Sequence, residues 1–216
     1  MSGCTAQSLW KILDPSVTGY SVLKLLARWF LKLAGWSVEG ERPEFHKYVM
    51  VAAPHTSNWD FLLMLAMAKV LEVKPRWVGK HTLFRWPFGG LMRKLGGIAV
   101  NRKIPGTFVK MVVDAFETEP ELELIIPPEG TRSFRPFWKS GFYRIAKAAN
   151  VPVVIAYLDY PRKAGGIGPS FLPSGDVVRD MDIIREFYAN IEGAYPDQFS
   201  TPVLHEEQRL EAERST

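Results

Sequence analysis

The sequence predicts an α/β fold: a layered mixed sheet flanked by helices, preceded by an N-terminal amphipathic helix. Three observations carry this. Short apolar runs alternate with segments of helical periodicity through the middle of the chain, Pro, Gly and polar clusters punctuate them, and the segment before them repeats apolar residues at helical spacing.

That first segment, YSVLKLLARWFLKLAGW from Tyr20, places Val22, Leu23, Leu26, Trp29, Phe30 and Leu33 at helical intervals, with Gly35 as its stop. Lys24, Arg28 and Lys32 fall four apart and stack on one face. Such a helix either lies on an anionic lipid surface or packs on the core with its charges in water. Next, Tyr48 to Ala53 reads as a buried strand and Asn58 to Glu72 as a largely apolar helix. The alternation then continues: Arg76 to Val78 strand, Phe84 to Leu95 helix, Gly97 to Val100 strand, Phe108 to Glu117 helix, Glu123 to Ile126 strand. Lys139 to Asn150 is expected as helix, Val151 to Tyr157 as strand, GGIGPSFLPSG from Gly165 as a loop or short hairpin, and Met181 to Ile191 as helix. The residues from His205 onward read as a solvated charged segment.

The 216 residues are expected to form one domain: 1–40 an amphipathic, candidate membrane-associating segment, 41–200 the α/β core and 201–216 a charged tail. With 47% hydrophobic and 23% charged residues the chain can bury a sizeable core and is unlike a disordered segment. Its net charge of +4 suits an anionic partner without choosing one. A single cysteine, Cys4, excludes an intrachain disulfide and a cysteine-rich metal site. The first residues lack the pattern of a secretory signal, and every apolar run breaks before about 18 residues, so membrane contact is expected at the surface.

Chemistry-bearing residues concentrate where predicted strands end, the usual place for sites in α/β proteins. In Pro54-His55-Thr56-Ser57-Asn58-Trp59-Asp60, His55 precedes the helix and can fold back so that Asp60, in the first turn, orients the imidazole. A neutral imidazole accepts a hydroxyl proton near neutral pH, and a carboxylate beside it fixes the tautomer and stabilises the imidazolium. Ser57-x-x-Asp60 also resembles a capping box, so Asp60 can equally serve the helix start. In Pro128-Glu129-Gly130-Thr131-Arg132-Ser133, glycine permits a tight turn, arginine offers a planar fork for phosphate, and Glu129 and Thr131 offer hydrogen bonds; alone, this also fits a surface turn.

Together, PHTSNWD and PEGTRS, about 70 residues apart, resemble the first and third motifs of the glycerolipid acyltransferases related to 1-acylglycerol-3-phosphate acyltransferase. Gly96-Gly97-Ile98-Ala99-Val100-Asn101-Arg102 is similar to the second motif and Val151-Pro152-Val153-Val154 to the fourth, in the same order. The resemblance covers Tyr48 to Tyr157. It implies His55 as general base, Asp60 as its orienting partner, and Arg102 with Glu129, Gly130, Thr131 and Arg132 as the acceptor's phosphate site. Lys80 in GKHTLF is a further candidate for an anionic head group, or else a surface lysine. The donor implied is acyl-CoA or acyl-carrier protein, and the acceptor a phosphate-bearing lysolipid, 1-acylglycerol-3-phosphate first, with a different lysolipid as the alternative. No cofactor, metal or nucleic-acid partner is implied, and the expected location is the cytoplasmic, inner face of a membrane. The chain departs from the family pattern where Asn101 replaces a common Asp, Ala99 and Pro127 replace aromatics and Ile155 replaces a Pro. These departures leave open which lysolipid is the acceptor. Trp59, Trp77, Trp86 and Trp138 are expected to pack internally, with Trp86 also a candidate for lipid contact, and Lys139, Arg144 and Lys147 are expected on a solvated helix face. Two other functions compete: a non-catalytic anionic-lipid-binding protein, and a metal-dependent hydrolase using His55, Asp60 and Glu129.

Overall fold

A computed structural model describes residues 15–100 and 107–214. In chain order these form α1 (Pro15–Leu33), β1 (Ser37–Glu39), β2 (Lys47–Ala53), α2 (Trp59–Val70), β3 (Pro75–Lys80), α3 (Gly89–Lys94), β4 (Gly97–Val100), α4 (Thr107–Thr118) and β5 (Leu122–Ile126). They continue with α5 (Gly141–Ala149), β6 (Val153–Asp159), β7 (Ala164–Phe171), α6 (Val177–Tyr188) and α7 (His205–Arg214). The seven strands make one sheet in the order β1-β7-β6-β2-β5-β3-β4. All neighbours pair parallel except β6 and β7, so the sheet is mixed, as expected.

Apolar side chains cover both faces of the sheet, which is why its central strands read as continuous apolar runs. Along β2, Val49, Val51 and Ala53 join one cluster with Phe116 of α4, Phe142 and Ile145 of α5, and Met181 and Ile184 of α6. The alternate residues Tyr48 and Met50 join another cluster with Trp77 and Phe84. Period-two alternation thus sends successive β2 residues into opposite layers.

The N-terminal helix packs on the core through only part of its apolar surface. Its Leu31 is buried in a cluster with Leu63, Ala66 and Met67 of α2, while Leu23, Leu25, Leu26, Trp29 and Leu33 are exposed. Lys24 is engaged in an ion pair with Glu72 rather than standing ready for lipid.

Several elements differ from the sequence expectation. β1 is only three residues long and carries too little pattern to be seen. The helix expected over Phe84 to Leu95 is instead a 3₁₀ turn, His81–Phe84, followed by the short α3. Pro87 disfavours helical backbone at Trp86 and supplies no N–H of its own, which splits the segment. The GGIGPSF run is the strand β7, the return of a hairpin from β6. Its glycine composition has a packing cause: a Cβ on Gly166 would collide with the Glu39 carbonyl of β1. The charged tail is not uniformly solvated. Leu204 is fully buried, and Glu207 is buried with its carboxylate accepting from Arg185 Nη1 at 2.6 Å and from the Leu204 N–H at 2.7 Å. Trp77 and Trp138 are buried as expected, but Trp59 and Trp86 are 64% and 93% exposed.

Candidate active site

The carboxyl ends of five parallel strands, β6, β2, β5, β3 and β4 in spatial order, lie along one edge of the sheet. Each predicted group leaves from one of them. His55 follows β2, the Glu129 turn follows the neighbouring β5, and Lys80 closes β3. Arg102, just beyond β4, lies outside the described residues, as does Asn101. Pairing of β2 with β5 therefore joins motifs far apart in the chain.

His55 precedes α2 and Asp60 sits in the first turn of that helix, the local geometry the sequence requires. Asp60 is 3% exposed. Its Oδ2 accepts the Thr56 and Ser57 backbone N–H groups, both at 2.8 Å, and lies 3.3 Å from His55 Nδ1. The two readings of this carboxylate hold together: it caps the turn and faces the imidazole. With Nδ1 turned to Asp60, Nε2 on the far side of the ring is left to meet a substrate hydroxyl.

Two further residues complete this arrangement, and neither role was legible in the sequence. The Tyr160 hydroxyl, just past β6, donates to Asp60 Oδ1 at 2.6 Å. Burial first, and then this bond to a carboxylate, raise its pKa, so it stays a donor. The Tyr160 ring meets Trp36 edge-on with centroids 5.0 Å apart. Glu129 is the second. Instead of facing an exposed phosphate site, its side chain is 3% exposed, and its Oε1 accepts the His55 backbone N–H at 3.0 Å. Among the described residues, its Oε2 is buried without a hydrogen-bond partner. Burial pushes this carboxyl up from the ordinary 4.5 to about 7, with the nearby Asp60 adding to the rise.

The rest of the turn remains at the surface. Gly130 takes φ +69°, which favours glycine, and a Cβ there would lie 2.7 Å from Lys139 Nζ. Lys139 thus stands against this turn rather than on a solvated helix face, because α5 starts only at Gly141. Exposed Arg132 donates from Nη1 to Asn58 Oδ1, tying the third motif to the first. Thr131 Oγ1 accepts a long 3.4 Å contact from the Ser133 N–H.

Beside these groups lies a cavity of about 630 Å³, within the range of roughly 300–1,000 Å³ that holds small ligands. Met64 and Met67 of α2, Leu71 just after it, Trp77 of β3 and Ile125 of β5 line its apolar part, and His55, Asp60, Thr131 and Arg132 its polar part. The arrangement can take a proton from a hydroxyl at His55 while an apolar chain occupies the cavity. Among the described residues no group of three His, Cys, Asp or Glu is arranged to hold an ion.

A sequence comparison with curated proteins returns no match. Among solved structures, the chain is similar to the 1-acyl-sn-glycerophosphate (LPA) acyltransferase PlsC from Thermotoga maritima. The two are 18% identical, with a TM-score of 0.53 over 73% of this chain and 70% of that one, a likeness of fold. The acyltransferase family profile matches residues 37–158, which hold the sheet edge, the His55–Asp60 pair and the Glu129 turn. With more than half its length matched, the chain belongs to the acyltransferase family.

Proposed function

We propose that this acyltransferase moves a fatty acyl group from acyl-CoA or acyl-carrier protein to the hydroxyl of a phosphate-bearing lysolipid, with 1-acylglycerol-3-phosphate as the first acceptor to test. The observation that carries the reading is His55 Nδ1 at 3.3 Å from a buried Asp60, beside an apolar cavity of about 630 Å³ that Arg132 also lines. His55 Nε2 takes the hydroxyl proton as the oxygen attacks the thioester carbonyl, Asp60 stabilises the imidazolium, the C–S bond breaks, and the proton passes to the leaving thiolate. No acyl-enzyme is required, since attack is by the acceptor itself. Arg132 offers charge-assisted hydrogen bonds to the acceptor's phosphate, with Thr131 and Lys80 as further polar groups and Arg102 as a second guanidinium. The cavity takes an acyl chain.

The acceptor and product are lipids, so the enzyme works on the inner face of a membrane. No helix among the described residues is long and apolar enough to cross one. The exposed Leu25, Leu26, Trp29 and Leu33 of α1 support surface contact, with Arg28 and Lys32 nearby.

Purified protein incubated with acyl-CoA or acyl-carrier protein and a panel of lysolipids, with and without EDTA, tests this reading. Acyl transfer to phosphate-bearing acceptors, insensitive to EDTA, is expected. Lipid binding without turnover would instead identify a non-catalytic lipid-binding protein, and loss of turnover in EDTA would revive a metal-dependent mechanism.

A further inference from the structure

Between β3 and β4 the chain exposes a compact apolar surface that the active-site chemistry does not use. Trp86, Phe88 and Leu91 are 93%, 65% and 51% exposed, whereas Phe84 beneath them is buried against Trp77. Large apolar side chains grouped this way mark a contact surface rather than chance exposure. The sequence that carries them is charged with one sign. From Val73 to Val113 the chain carries nine Lys or Arg residues and no Asp or Glu, although the whole chain is only +4. Within the exposed turn itself, Arg85, Arg93 and Lys94 have no carboxylate within ion-pair distance among the described residues. The surface is also continuous with the cavity: half-exposed Leu83 and part-buried Met92 of α3, from the same segment, both line it.

We infer that the turn Leu83 to Lys94 is a second membrane anchor, separate from α1, which inserts Trp86, Phe88 and Leu91 into an anionic lipid leaflet and sets the cavity against that leaflet. Aromatic rings with a polar edge suit the boundary between head groups and acyl chains, and the arginines and lysine find lipid phosphates there. An acidic protein partner would match the charge, but full exposure of an indole at the tip and an apolar path into the cavity favour lipid. The inference rests on the reading of the acceptor as a bilayer lipid.

The test is co-sedimentation of the full chain with vesicles of phosphatidylcholine, with or without phosphatidylglycerol. The variant Trp86→Ser/Phe88→Ser/Leu91→Ser should partition about tenfold or more weakly to phosphatidylglycerol vesicles, and Arg85→Gln/Lys94→Gln should lose the preference for the anionic ones. A polarity-sensitive dye on Phe88→Cys in a Cys4→Ser background should blue-shift with vesicles, reporting insertion whatever α1 contributes. Equal partition of the triple variant and wild type, no dye shift, or loss instead of binding to acidic acyl-carrier protein would overturn the inference. Turnover on detergent-dispersed lysolipid should be unchanged in the triple variant, and its loss there would place these residues in the site rather than on a docking surface. Absence of turnover in wild type would count against the proposed function alone, since sedimentation needs no chemistry.

Discussion

The turn after β2 and the turn after β5 stand side by side at the same sheet edge, yet they are held differently. In the first, buried Asp60 accepts from Thr56, Ser57 and Tyr160 and faces His55, so backbone and tyrosine bonds from two strand ends determine its position. In the second, the buried Glu129 serves the first turn by accepting the His55 N–H, while Thr131 is part-exposed and Arg132 exposed. In the proposed mechanism the first turn holds a proton-transfer pair, which must be positioned to within fractions of an ångström, and it is the buried carboxylate of Asp60 that fixes this position. A group that meets an arriving phosphate must stay accessible to it.

The largest expected effect cuts the first turn. His55→Ala should lower turnover by about 10²–10⁴-fold with little change in melting temperature, because the proposed base is lost while the bonds around it stay. Asp60→Ala should lower both, since it also strips the Thr56 and Ser57 N–H groups of their acceptor, at about 1–3 kcal/mol for each buried donor left unmet. Steady-state kinetics and thermal unfolding, run in parallel, separate the two; near-normal turnover of folded His55→Ala would end the proposed mechanism.

In the second turn the defect should be one of binding. Loss of charge-assisted bonds of about 1.5–3 kcal/mol should raise the KM of Arg132→Ala for a phosphate-bearing acceptor by roughly ten- to a hundredfold. The KM for the donor should change little. A defect confined to the donor would reassign this guanidinium.

A smaller effect tests the link between strands. Tyr160→Phe removes one hydroxyl from Asp60 and should cut turnover by about tenfold or less, from a hydrogen bond worth about 1 kcal/mol. If the tyrosine acts by positioning the pair, the pH dependence of turnover should shift with it; a change in melting temperature alone would make it structural.

The smallest concerns Glu129. Its folded pKa, about 7, lies above the ordinary 4.5, so its contribution to stability is fully present below 4.5 and is lost as pH rises through about 7. Glu129→Gln keeps an oxygen for the His55 N–H and removes the buried charge. Melting temperature followed from pH 4 to about 8 should fall less steeply in this variant than in wild type; parallel curves would show that Glu129 does not titrate in that window.

The sequence by itself determined the layered mixed sheet and most of its strands and offered His55 and Asp60 as a pair, because these depend on local pattern: apolar periodicity, a helix expected from Asn58, and a carboxylate five residues after a histidine. It also revealed a glycine-led turn after β5. Tertiary structure alone decided what each group does there. That Glu129 is buried under His55, that Arg132 reaches Asn58 and that Tyr160 closes on Asp60 all follow from β6, β2 and β5 lying next to one another, and Lys139 leans on Gly130 because the segment after β5 folds back on itself. The same holds for Leu204 and Glu207, which read as a charged tail until Arg185 and the space near Trp138 receive them. The physical reason is common to all of them: periodicity records which face of an element is apolar, whereas burial of a polar group depends on partners that the fold brings from distant positions in the chain.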